Sequence, residues 1–518
     1  MVLFKRTGLD VTPRLPKLEQ SQPAELLPNV GWRPEPRGRV WLARAREFWF
    51  GQTDLAPLSL LRIVYGLLLI VWLAQLWPDL AAFFSDEGMM PRSQLVSSYP
   101  GLPSLLMLVS QWWQVAAFWC AAVVVAVMLT VGYRTRLACL LAFVAVLSFE
   151  NRNPLMLDSS DFVFKLVPFW MMFTAAAERF SIDALLRKTR GEPSSGRGPA
   201  FPVRLLEFQI GWIYLATALE KWPGKTWLDG TAVYYVFQLS HTFARPFAAP
   251  LASNLDLVRA FTWETLAVEV AFLPLMFLPG PCRLLGMAAV VLLQLGILTM
   301  LNVGNFPLIM LAVMVLFLPP AWIERLTARV RDSRLWGAAR RACLRLPGPE
   351  GRGGAAPAWP RRIGYTGLAV LAAGAFSLAL PARFSGITPP PNVRDGLVFV
   401  GLNQAWNMFS PNPSRTDWWV MAPGQLSDGS EYDVLPRSWR TIYSRWMKIM
   451  DRLSIPGHSG YLQEFGRSIC RLHNNHLGAG QPQLMTFQIH FVSRIIPPPE
   501  LGDFELSDVL LWDHRCFE

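Results

Sequence analysis

Lys221 is the residue whose setting most invites chemistry. It closes the apolar run that begins at Tyr214, and Trp222, Pro223, Gly224, Trp227, Asp229 and Gly230 follow it. A lysine held in an apolar, Trp-lined site is desolvated, which lowers its pKa and leaves a neutral amine available as a general base. Trp222, Trp227 and Asp229 would then shape the surroundings of that amine. Without such burial, Lys221 is a snorkelling lysine at a helix end and Trp227-Leu-Asp229-Gly230 is an ordinary turn. The sequence leaves both readings open.

Ionisable residues inside apolar segments form the second group. Arg62, Asp161, Lys165, Glu207, Glu264 and Glu269 stand where charge is expensive, so each should face the protein interior and find a partner. Asp161 and Lys165 are one helical turn apart and are expected to pair with each other. Arg62 is expected to be neutralised by Glu207, Glu264 or Glu269. These are read as structural charges. His473-x-x-His476 has a metal-ligand spacing but no third ligand in sequence range, so no metal is expected. There is no phosphate-binding glycine loop, nucleophile elbow, dinucleotide fingerprint or CxxC pair.

The elements that must carry these residues are membrane helices. The chain has 518 residues, 52% hydrophobic and 16% charged, with 22 Trp and 32 Phe. Its mean hydropathy is +0.28. That composition excludes a disordered, collagenous or coiled-coil chain and is too apolar for an ordinary soluble one. The formal charge of +11 is not read as a nucleic-acid surface, because its basic residues cluster in alternate loops.

Nine apolar runs are long enough to span about 30 Å of hydrocarbon, some with tilt or bilayer thinning. They lie near 57–77, 111–132, 136–150, 161–177, 202–220, 260–279, 283–301, 305–320 and 363–382. Residues 1–56 carry charge and no apolar run, so the first span is expected to act as an uncleaved signal. Basic residues concentrate before the first span, in the second and fourth connections, and in 321–362, which holds ten Arg. The positive-inside rule then puts the N-terminus in the cytoplasm and the C-terminus outside.

The expected fold is therefore an all-α polytopic membrane bundle of about nine transmembrane helices with a small C-terminal extracytoplasmic α+β domain. The segments are 1–56, cytoplasmic; 57–320, the transmembrane domain; 321–362, a basic cytoplasmic linker; 363–383, the ninth span; and 384–518, the outer domain. Within the last, a hairpin is expected around Asp428-Gly429, helices near 437–453 and 459–475, and a strand over Leu484 to Val492. Cys470 and Cys516 are the tail's cysteines. An oxidising compartment permits them to pair, though nothing in the sequence sets their separation.

Several motifs in chain order resemble the HTTM (horizontally transferred transmembrane domain) proteins, whose best understood relatives are the vitamin K-dependent gamma-carboxylases. They are Asp54-x-x-Pro57-Leu-Ser-Leu-Leu-Arg62-Ile; Phe180-Ser181-Ile182-Asp183; Leu219-Glu-Lys221 with Trp227-x-Asp229-Gly230; Gly304-Asn-Phe306-Pro307; and Trp406-Asn-Met408-Phe409-Ser-Pro411. The resemblance implies that Lys221 is a catalytic base toward a reduced quinone of the vitamin K or menaquinol type. The oxygenated product of the reaction with O2 would take a γ-proton from a peptide glutamate, and the carbanion would capture CO2. Trp222, Trp227, Asp229 and Gln294 are then the quinone-binding residues. Where the carboxylases carry a His, this chain has Gln294, which does not titrate, and its tail is shorter than their propeptide-binding region.

The partners implied are membrane lipid, a lipid-soluble quinone and an exported peptide or protein, with no nucleic acid. The alternative is a non-catalytic membrane maturation, scaffold or transport protein on the same fold. The charge pattern makes a direct topology prediction. A reporter fused after residue 345 should be cytoplasmic and one fused after residue 518 external; both on one side would remove the ninth span.

Overall fold

The structure is a computed structural model. It describes residues 37–331 except 193 and 279, 361–435 except 388, and 445–517 except 456–459, 476, 479 and 500–503. Most of the N-terminal segment and of the basic linker, with His458 and His476, lie outside the described residues. Residues 48–518 form one compact unit; before it, only the start of helix α1 (Arg37–Phe50) is described.

The chain is mostly helical, with a small sheet near its C-terminus. Among the described residues, three helices are long and apolar enough to cross a membrane: Ala56–Phe84, Trp112–Val131 and Gly280–Met300. A fourth is added if the bent pair Phe306–Phe317 and Pro320–Ala328, which turns through 102°, is one span. Helices stand at the other expected positions. Thr135–Arg152, Ala200–Lys221 and Leu255–Met276 carry several charges, and Ser159–Met171 and Arg361–Ser377 are short. By length and composition, three or four of the nine expected spans qualify among the described residues.

The helices used below are α2 (Ala56–Leu76), α3 (Trp112–Val131), α4 (Thr135–Arg152), α5 (Ser159–Met171), α6 (Ala200–Lys221), α7 (Ala232–Gln238), α8 (Leu255–Met276), α9 (Gly280–Met300) and α10 (Phe306–Val313). Helices α2 and α3 touch at Gly66. A Cβ there would lie 2.3 Å from the Thr130 hydroxyl oxygen and 2.9 Å from the Thr130 Cα. Small residues allow such backbone approach between membrane helices.

Arg62 corrects one expectation, because among the described residues no carboxylate pairs with it. Its guanidinium donates to the carbonyls of Leu129 at 2.6 Å, Thr130 at 2.8 Å, Phe180 at 2.6 Å and Ala176 at 3.3 Å. Leu129 and Thr130 belong to the last turn of α3, whose carbonyls have no partner within their own helix. A cation at that end also complements the helix dipole. The planar five-donor fork of Arg can serve several converging carbonyls at once.

The same end explains a second motif. Phe180 adopts a positive φ of 52°, and the Ser181 hydroxyl accepts from Ala184 N. Asp183 accepts from the backbone N of Arg134 and Thr135, closing the start of α4.

Asp161 and Lys165 do not pair. Asp161 sits in the first turn of α5, where it accepts from Asp158 N, from the Trp72 indole at 2.7 Å and from Arg445 at 2.9 Å. Lys165, one turn further on, reaches the end of α4 and donates to Glu150 at 2.7 Å. Glu207 also takes partners other than Arg62, namely Arg204 at 2.6 Å and Arg283 at 2.8 Å. Asp161 and Lys165 thus each meet an opposite charge from another helix, whereas Glu207 takes one from its own helix, Arg204, and one from α9, Arg283.

Two short strands, β1 (Gln52–Asp54) and β2 (Arg197–Pro199), pair antiparallel, and the C-terminal region holds a five-stranded sheet: β3 (Thr416–Met421), β4 (Pro423–Leu426), β5 (Glu431–Asp433), β6 (Leu484–Ile495) and β7 (Glu505–Arg515). Central β6 pairs antiparallel with β3, β4 and β7. The hairpin at Asp428-Gly429 forms as expected between β4 and β5. Phe487 and Ile489 are buried, whereas Phe491 is half-buried. Helices Arg445–Leu453 and Gly460–Asn474 follow the hairpin. Cys470 and Cys516 form a disulfide that joins the second of these helices to the end of β7.

Replacing Arg62 should leave the carbonyls at the end of α3 without their charged donor. Arg62→Ala is expected to lower unfolding stability in lipid nanodiscs by about 2–3 kcal/mol, the range for a hydrogen-bonded charged group. Glu264→Ala, at an exposed position with no partner among the described residues, should be near neutral; equal effects of the two would refute this account of α3.

Candidate functional site

Helix α6 ends at Lys221, and the next stretch folds back beneath the C-terminal region. A cavity of about 330 Å³ opens there, within the size range of small-molecule sites. Its walls come from α6, α7, α8 and α9, the start of α10 and the loop Met408–Phe409. The lining is largely apolar, with Tyr214, Trp227, Phe237, Phe261, Phe306 and Phe409 as its aromatic residues.

Lys221 lies in this wall and is only 4% exposed. Its Nζ donates to Glu269 Oε1 at 2.5 Å and lies 4.5 Å from the centre of the Trp227 ring. Two features hold Trp227 there. Its indole N–H donates to the Phe409 carbonyl at 2.9 Å, and the Asn412 side chain accepts from the backbone N and hydroxyl of Thr226. Gly224 makes this contact feasible, since a Cβ at that position would meet the Pro411 carbonyl oxygen at 1.6 Å. The Trp406–Pro411 motif therefore roofs the site, although it is nearly two hundred residues away in sequence.

Gln294 faces the same cavity from α9. Its amide nitrogen donates to the Tyr214 hydroxyl at 3.1 Å. Tyr214 stands seven residues before Lys221, on the same helical face. Glu269 Oε2 and Gln294 Oε1 are buried and, among the described residues, have no hydrogen-bond partner.

Of the residues singled out from the sequence, Lys221, Trp227, Gln294, Glu264 and Glu269 line this cavity. Trp222 does not: it is 59% exposed and points away. Asp229 does not either, because its carboxylate accepts from the backbone N and hydroxyl of Thr231 and so fixes the following turn. Glu264 is exposed at the edge of the cavity and, among the described residues, makes no hydrogen bond or ion pair. Arg62, Asp161, Lys165 and Glu207 lie elsewhere, in the contacts described above. Among the described residues, no group of three His, Cys, Asp or Glu could hold a metal ion.

Sequence reasoning missed Tyr214, Phe409 and the role of Glu269 as the partner of Lys221. The spacing of Tyr214 and Lys221 was a usable signal. The pairing of Lys221 with Glu269 had none, since 48 residues separate them.

A family model for the HTTM domain matches residues 50–322, more than half of the chain. The "Uncharacterized protein YitO" of Bacillus subtilis (strain 168) is 23% identical over 234 residues, which are 43% of this chain and 75% of that protein. No solved structure matches.

The ion pair itself can be tested. Lys221→Met or Glu269→Leu alone leaves a buried charge without its partner and should cost about 3–5 kcal/mol, whereas the double variant should recover most of that loss. Thermal unfolding of the three variants in nanodiscs reads the difference. Additive losses would mean that the two side chains do not interact.

Proposed function

The chain belongs to the HTTM domain family, which includes the vitamin K-dependent gamma-carboxylase-like proteins, and we propose that it is a membrane oxidoreductase or carboxylase acting with a reduced quinone and O2. The observation that carries this reading is the buried Lys221–Glu269 pair in the wall of an apolar, aromatic cavity. A quinone partitions into the bilayer, and this cavity matches its apolar ring and tail.

When bound, a reduced quinone of the menaquinol or vitamin K type supplies two ring hydroxyls and the electrons that reduce O2. The chain's own residues do the rest. Trp227 and Phe409 exclude water, the Lys221–Glu269 pair holds or receives a proton beside the ring, and Gln294 orients the far side. A low dielectric makes each of these interactions stronger than in water. Extension to carboxylation would let a glutamyl side chain of an exported peptide lose its γ-proton and capture CO2. On the Lys and Arg distribution we read the Lys221 end of α6 as lying on the outer side, where such a peptide would be met.

A second reading has its own support. The Lys221 ammonium is committed to Glu269, and a non-titrating amide stands at Gln294. Both suit a non-catalytic scaffold, maturation or transport protein in which the pair serves packing. One experiment separates the two. The full chain in nanodiscs, supplied with menaquinol and O2, should consume O2 and form quinone epoxide detectable by mass spectrometry. Lys225→Ala should retain that activity, and Lys221→Met/Glu269→Leu, which removes both charges together, should lose it. An unmodified protein that forms no epoxide and consumes no O2 above the empty-nanodisc rate would leave the scaffold reading standing.

A further inference from the structure

A second cavity, of about 290 Å³, lies at the other end of α6, where the starts of α2, α6 and α9 meet the bend at 316–320. Its Arg204 and the Lys221 of the first cavity stand 17 residues apart on one helix (221 − 204), a rise of about 25 Å. We infer that this second cavity binds a phosphate group, held between Arg204 and Arg283.

The two guanidiniums are held in place by the protein alone. Glu207, buried between them, accepts from Arg204 Nη1 at 2.6 Å and from Arg283 Nη2 at 2.8 Å. An aromatic ring supports each one: Arg204 lies 4.1 Å from the centre of the Phe48 ring, and Arg283 lies 5.2 Å from that of Phe317. Side chains fixed in this way lose little freedom when a ligand arrives. They are also within its reach, because Arg204 is 12% and Arg283 is 21% exposed in the side chain.

The hydrogen-bonding capacity left over is one-sided. Among the described residues, Arg204 Nη2 and Arg283 Nε and Nη1 donate to no protein acceptor. The acids of the wall are already engaged: Glu207 by the two arginines, and Asp54 by Ala56 N at 2.8 Å and Arg179 at 2.9 Å. A guanidinium donates and never accepts, so the ligand must bring acceptors, and paired forks match the oxygens of a phosphate. The charge balance agrees. Counting Arg179, which holds Asp54, three arginines face two carboxylates; Glu324, the other partner of Arg179, is 56% exposed and its pairing contributes little. Pro57, Leu58, Val203 and Leu284 make the rest of the wall apolar, and α9 continues with Leu285 and Leu292, each 65% exposed. A lipid headgroup and free phosphate share this chemistry; a basic cavity between membrane helices with an apolar surface beside it favours the lipid.

Native mass spectrometry of the full chain in a neutral detergent tests this, with phosphatidylglycerol, the diacylglycerol of the same chains and inorganic phosphate as probes. The unmodified protein should hold phosphatidylglycerol about tenfold or more tighter than diacylglycerol, as expected for hydrogen bonds from charged groups. Arg204→Gln/Glu207→Gln/Arg283→Gln, which removes the three charges together, should lose that preference while binding diacylglycerol as before. Lys188→Gln/Arg190→Gln, at two exposed positions, should keep it. Inorganic phosphate that binds and displaces the lipid identifies a site open to free phosphate; lipid retained against it identifies a headgroup site. Equal affinity for phosphatidylglycerol and diacylglycerol overturns the inference, and so does a triple variant that keeps the preference. If the triple variant does not fold, a photoreactive phosphatidylglycerol on the unmodified protein should crosslink within 200–207 or 280–286, and crosslinks confined to other segments overturn it. None of these outcomes bears on the quinone reading, which concerns the cavity at Lys221.

Discussion

The cost of placing charge in an apolar interior organises this molecule. Lys221 and Glu269 come from helices separated by a long connection, and neither is tolerable where it stands without the other. Their contact fixes the rotation of α6 against α8, because a modest turn of either helix would carry one side chain away. That rotation also brings Tyr214 and Thr217 to the cavity wall. The pair is thus a structural constraint and the polar centre of the site at once.

The same constraint is met elsewhere with different groups. Lys165 finds Glu150, Asp161 finds Arg445, and Glu207 is held between Arg204 and Arg283. Among the described residues Arg62 finds no acid and instead gathers carbonyls from the end of α3 and from the turn at Ala176–Phe180. Asp54 and Arg179 pair close by. The Asp54–Arg62 and Phe180–Asp183 motifs therefore build one end of the bundle, where helix termini need capping. The motifs at Lys221, Phe306 and Trp406–Pro411 build the cavity instead.

The C-terminal region is fastened to the helices at several polar points. Asp417 of β3 is fully buried and accepts from His241, Arg494 and Thr242. Arg445 reaches Asp161, and Trp227 reaches the Phe409 carbonyl. These contacts explain why residues 48–518 form one compact unit. They also give the sheet region a part in the cavity, since the loop leading into β3 supplies its roof.

Much of this was legible in residue order. Composition and apolar runs marked a membrane chain, and helices stand at each of the expected positions among the described residues. The turn at Asp428-Gly429 and the alternation through Phe487 and Ile489 located two pieces of the sheet. Lys221 and Trp227 were legible as neighbours of an apolar helix end because capping and burial are local properties. Partner choice was not legible. Asp161 and Lys165 share a helical face, yet each met a stronger partner from another element, and Trp222 and Asp229 turned outward although they flank Trp227. A sequence records which side chains need a partner; which one answers depends on how helices pack, and only the tertiary structure sets those distances.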